Sequence, residues 1–194
     1  MDTTAISPRR FLSIACTIVG CGLGGSTSML AHVILVDYHG NTVFDNHVAP
    51  TMFISDYRTS VTGLLPMHLD GAPEFTKVQR DVADKIHGKV LVGHAIWNDL
   101  SVLGLQHLAV ATRDVALYMP FRITLSTDRV IGLQTLMWHF MARQIQRQAI
   151  ISPLENARAA MDLYRSAASD WNYQISRGNW PCALPSSTFS RCYL

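Results

Sequence analysis

At 194 residues the chain is long enough to bury a sizeable core and reads as one domain. Apolar residues make up 48% and charged residues 15%, which excludes a disordered chain. No apolar run reaches the ~20 residues a membrane-spanning helix needs. The net charge of +2, from thirteen Arg and three Lys against fourteen acids, does not demand a polyanionic partner.

Residues 1–10 read as an N-terminal tail, 11–175 as the folded domain and 176–194 as a C-terminal tail that wraps the surface. Phe11 to Val19 is short, rich in Ile, Val and Cys, and reads as a buried strand. It runs into Gly20, Gly22 and Gly25, spaced as G-x-G-x-x-G. A dinucleotide site needs a helix directly after these glycines and an acid about 20 residues on. Met29 to Val36 and Thr42 to Val48 instead read as two further strands around the turn Asp37–Asn41, so a flexible turn is expected at the glycines. Arg9 and Arg10 before the apolar run also suggest a secretory signal. Its removal would delete the first strand of the sheet, so a cytoplasmic protein is expected.

Phe75, Val78, Val82 and Ile86 lie at helical spacing between Pro73 and Gly88. "KVLVGH" then predicts a buried strand, Trp97 to Leu105 a helix, and Val110 to Val115 a short edge strand. Leu133 to Ala142 predicts another helix, in which Met137, Trp138 and Met141 read as core. Ser152-Pro153 opens a long one to about Ile175, with a cap residue before Pro at the first helical position. The order is that of an α/β fold: an antiparallel meander followed by parallel strands in one mixed sheet, flanked by helices. Cys16, Cys21, Cys182 and Cys192 form no CxxC pair, which speaks against a zinc site, and reduced thiols are expected. A Cys182–Cys192 disulfide is possible in principle.

Four segments occur in order: "DYRTSVTGLLPMHL" (56–69), "GKVLVGHAIWNDLSVL" (88–103), "RDVALYMPF" (113–121) and "SPLENARAAMDLY" (152–164). Together they resemble the DEDDh 3′–5′ exonucleases of the ribonuclease-H-like fold, in their eukaryotic RNA-exonuclease branch. The match covers roughly residues 11–173. The resemblance implies hydrolysis of phosphodiesters with two divalent cations held by four carboxylates, while a histidine activates water. Hard cations want anionic oxygens, and a metal pair stabilises both the attacking and the leaving oxygen.

Carried over residue by residue, the pattern is mostly altered. Its first Asp and Glu fall on Ala15 and Thr17, its second Asp on Asp99, and its closing His and Asp on Ile151 and Asn156. One carboxylate cannot balance two dications, so neither metal nor other cofactor is expected. Glu155 is next to Asn156 but points about 100° away on a helix. The altered positions suggest a mostly apolar pocket. Asp99 is its candidate acid or base, with a raised pKa. Ala15, Thr17, Ile18, Leu65, Trp97, Ile151 and Asn156 are its candidate lining.

That reading favours a repurposed, metal-independent enzyme rather than an active nuclease. A cyclase or pericyclase-type isomerase of natural-product biosynthesis, acting on an apolar small molecule, fits such a pocket. The alternatives are a pseudonuclease that binds RNA or DNA without cleavage, and a protein-interaction scaffold. The charge balance disfavours nucleic acid, although Arg58, Arg113, Arg122 and Arg158 could line a channel. His94 and Asp114 read as structural, and Tyr57-Arg58 as packing the loop that leads to the cleft.

Overall fold

The first apolar run forms the middle of a six-stranded mixed sheet in the computed structural model, which describes residues 7–185 and 187–193. The strands are β1 (Phe11–Cys21), β2 (Thr27–Asp37), β3 (Thr42–His47), β4 (Ile54–Asp56), β5 (Val90–Gly93) and β6 (Thr112–Asp114). Their order is β3-β2-β1-β5-β6, with β4 paired to the far end of β1. β1, β2 and β3 form the antiparallel meander, while β5 and β6 add in parallel. β6 is the edge strand that its short apolar run suggested.

Side-chain alternation assigns each face its helices. Leu12 and Ile14 of β1 and Leu91 of β5 share a core with α2 (Phe75–Ile86) and α3 (Ile96–Leu103). From α2 that core takes Val78, Val82 and Ile86, the residues its spacing marked. Phe11, Val90 and Val92 face the other way, onto α5 (Leu133–Met141) and α6 (Pro153–Ser176). Strands buried on both faces read as continuous apolar runs, which is how β1 and β5 appear in the sequence. At the start of α6, Ser152 Oγ accepts the Glu155 N–H at 3.3 Å, as its cap position requires. The three-residue β4 and the short helices α1 (Thr59–Thr62) and α4 (Met119–Thr124) had no periodic signal to reveal them.

The glycine stretch forms the turn between antiparallel β1 and β2, as expected, and its ends cross at close range. A Cβ on Gly20 would lie 2.7 Å from the carbonyl oxygen of Gly25, and one on Gly25 would lie 2.9 Å from Cβ of Asp56. Gly25 also has φ +70°, so neither position accepts a side chain without strain.

After α6 the chain turns back along the edge of β6. Ala183 N donates to Leu117 O (2.8 Å), His107 N to Cys192 O (3.0 Å), and Cys192 is buried in the core of α2 and α3. All four cysteines are free. Among the described residues no helix is long and apolar enough to cross a membrane. Residues 1–6 of the expected N-terminal tail lie outside the described residues.

Candidate functional site

β1 and β5 pair only over Phe11–Ser13 and Val90–Val92. Beyond Ser13 the strands part, and a cleft of about 320 Å³ opens between them. Its walls are Ile14, Ala15, Cys16 and Ile18 on β1, and His94, Ala95, Asn98 and Asp99 after β5. Leu133, Gln146 and Asn156 close it from the helical side. The divergence leaves the N–H of Cys16 without a strand partner, and it donates to Asp99 Oδ1 at 3.1 Å. Burial pushes the Asp99 carboxyl up to about 8, partly opposed by the Cys16 hydrogen bond and reinforced by the neighbouring Asp114. At neutral pH it is mainly protonated. Burial, together with Asp99, also raises the Cys16 thiol.

A second set of bonds fixes the opposite wall. Gln146 Nε2 donates to Asn156 Oδ1 at 2.7 Å, and the backbone N–H of Gln146 donates to Glu155 Oε2 at 2.9 Å. Gln146 has φ +53°, a costly conformation for a side chain larger than glycine, and these two bonds hold it there. Glu155 therefore serves the loop and lines a separate groove on its far side. Gln146 lies in "ARQIQRQ", whose lack of periodicity gave the sequence reading nothing to single it out.

Of the expected lining, the fold brings Ala15, Ile18, Asp99 and Asn156 together at the cleft. The other four residues go elsewhere. Thr17 is buried in the sheet beside His32, and Leu65 is exposed at the start of the 66–68 turn. The N–H of Ile151 bonds to Val61 O at 2.8 Å, which ties it to α1. Trp97 is not an aromatic wall: it is buried in the core, with its ring 6.4 Å from that of Phe189. Ile14, Cys16, His94, Ala95, Asn98, Leu133 and Gln146 complete the lining, so the cleft mixes polar and apolar residues where a mostly apolar pocket was expected.

The arginine candidates divide in the same way. Arg113 is buried and bonded to the carbonyls of Val110 and Thr112. Arg122 is buried against the carbonyls of Asp128 and Arg129. Neither can line a channel. Arg58 reaches only Gly25 O, at 3.5 Å, while Arg158 is exposed beside Gly40. Within the helix read as core, Met137 is buried but Trp138 is 58% exposed.

The family pattern implies a pair of divalent cations, and the residues present do not fit them. Asp99 is the one carboxylate lining the cleft, and burial favours its neutral form. Its Oδ1 already accepts Cys16 N–H, and Asn156 Oδ1 already accepts Gln146. Among the described residues no group of three or more His, Cys, Asp or Glu is placed to hold a metal ion.

Fold and cleft together define a mixed α/β sheet that splits between its central strands. The same fold occurs in the catalytic unit of Neurospora crassa Pan2, with a TM-score of 0.70 at 20% identity, over 91% of this chain and 29% of that one. The sequence model of the Exonuclease family matches residues 25–147, and the chain belongs to that family. RNA exonuclease 4 of Mycosarcoma maydis is 42% identical over 173 residues, covering 89% of this chain and 46% of that protein. RNA exonuclease 4 of Homo sapiens is 39% identical over 162 residues, 84% and 38% of the respective lengths. The chain thus spans less than half the length of these two relatives.

These relatives correct the functional reading. They are nucleases by name, at 39–42% identity over most of this chain. They point to a nuclease class and a nucleic-acid partner, not to a non-nuclease cyclase, an isomerase of natural-product pathways or an apolar metabolite. The physical source of the error is visible in the cleft. Ala15 lines the cleft, but the Ile151 backbone bonds to Val61 of α1, and Asn98, Gln146 and Asn156 bring amides among the apolar residues.

Proposed function

We propose that this chain is a nucleic-acid-binding protein of the exonuclease family whose cleft takes single-stranded RNA. The observation that carries this reading is the cleft between the parted strands β1 and β5, which sets three amide side chains among apolar ones. Asn98, Gln146 and Asn156 offer amide groups to the edges of unstacked bases and to sugar hydroxyls, the groups by which single-stranded RNA is usually read. Exposed Arg147 directly follows Gln146 of the cleft wall and supplies phosphate attraction beside it, whereas Arg143 is paired with Asp162 and Arg158 lines a separate groove. Homology to proteins named RNA exonuclease 4 supports the choice of RNA. A cytoplasmic setting belongs to the same proposal and is supported by the four free thiols.

The relatives' names favour a second reading, hydrolysis of RNA from an end; the cleft's donor set favours binding alone. One experiment separates them. Labelled single-stranded RNA is incubated with the protein in Mg²⁺, in Mn²⁺ and in EDTA, and both affinity and chain length are followed. Salt-sensitive binding that EDTA leaves unchanged, with the RNA intact, supports the binding reading. Shortening of the RNA that requires Mn²⁺ establishes the second reading and refutes the account of the donors given above. Absence of binding in every buffer refutes both.

A further inference from the structure

Beside the cleft runs a second groove, of about 380 Å³, lined by Gln134, Trp138, Gln144, Ile145 and Arg147. The two are neighbours through the chain: Leu133 and Gln146 line the cleft, while Gln134 and Arg147 line the groove. Gln134 Nε2 also reaches Gln146 O, at 3.5 Å, across the wall they share. Trp138 stands on the solvent side of α5 with 58% of its surface exposed, although Leu136 and Met137 beside it are fully buried. An indole left in water at this level is unusual, because aromatic side chains contribute most when buried. Arg147 is exposed and has no carboxylate partner among the ion pairs of the described residues.

We infer that the Trp138–Arg147 groove is a nucleobase-stacking subsite that extends the RNA path beyond the cleft. The ligand is an unpaired base of single-stranded RNA, stacked on the indole, with its phosphate near the Arg147 guanidinium. Proteins that hold single strands without reading their sequence use this pairing of an aromatic platform with a basic side chain. Gln146 sets the geometry: its clasp to Glu155 and Asn156 fixes the loop that carries Arg147. The inference rests on the cleft being an RNA site.

The test measures the affinity of a labelled single-stranded RNA decamer for the wild-type protein and three variants, across a range of salt. Trp138→Leu keeps apolar volume without a π face and should weaken binding about tenfold. Trp138→Phe should keep most of the affinity. Arg147→Gln should lower the salt slope by about one released counterion. Because Trp138 is mostly exposed, melting curves should show the three variants folded. If the wild-type protein does not bind the decamer, the RNA reading of the cleft fails. If it binds and Trp138→Leu binds equally well, only the stacking subsite fails. Equal losses in the Leu and Phe variants would also overturn it, since stacking cannot then be the cause.

Discussion

Asp99 and Asp114 are both buried and fifteen residues apart: Asp99 lies in α3, just after β5, and Asp114 ends β6. Asp114 is surrounded by donors: the backbone N–H groups of Ala95 (2.9 Å), Ile96 (2.8 Å) and Ala116 (3.0 Å), and the Tyr193 hydroxyl (3.2 Å). Among the described residues Asp99 is bonded by Cys16, through its N–H and its thiol. Burial raises both carboxyls, but at Asp114 His94 and three N–H groups pull the other way. The contrast separates a carboxylate that builds the fold from one that faces the cleft. Asp114 holds Ala95 at φ +55° and so sets the turn from which α3 carries Asp99 to the cleft.

Removing each carboxyl should break the pair unequally. Asp114→Ala leaves three buried N–H groups without a partner and should cost about 3 kcal/mol or more, measured by urea unfolding. A loss under about 1 kcal/mol would mean that water replaces the carboxylate without difficulty.

The pH dependence of stability sharpens the comparison. The folded pKa of Asp99 is raised from 3.8 to about 8, so between those values the folded state holds a proton that the unfolded state has lost. Stability is therefore fully present below about pH 4 and is lost as pH rises towards 8, by at most about 1.4 kcal/mol per unit. Melting temperatures of the wild type should fall from pH 5 to pH 8, and those of Asp99→Asn should fall less steeply. Asp114, also raised, contributes the slope that remains. Parallel curves would show that Asp99 is ionised in the folded protein.

A smaller effect is expected at the clasp. Gln146→Ala keeps the backbone bond to Glu155 and loses the one to Asn156, and should destabilise by about 1 kcal/mol. It also frees Asn156 Oδ1, so weaker RNA binding is expected in the same preparation. The smallest change is Asp99→Asn below about pH 4, where the carboxyl is protonated in the folded chain and largely so in the unfolded one. Stability there should stay within about 0.5 kcal/mol of wild type by the same unfolding assay.

Much of this protein could be read from its sequence. The strands at Phe11, Met29, Thr42 and Val90 and the helices at Phe75, Leu133 and Ser152 follow from local periodicity and capping, which short-range geometry enforces. Family membership could be read as well, because four ordered motifs encode the fold's main turns. Three-residue β4 is invisible in the same terms, since its pairing with β1 is a long-range choice. The cleft was only half legible. The sequence marked Ala15, Asp99 and Asn156 by their places in a pattern, but it could not say where replacement side chains would point. That Trp97 turns into the core and Gln146 reaches the cleft depends on how distant segments pack. The loop 142–151, the C-terminal residues around Phe189 and the parting of β1 from β5 meet only in the folded chain. Local sequence governs backbone conformation, whereas the polarity of a cleft is decided by whichever side chains the tertiary fold brings to it.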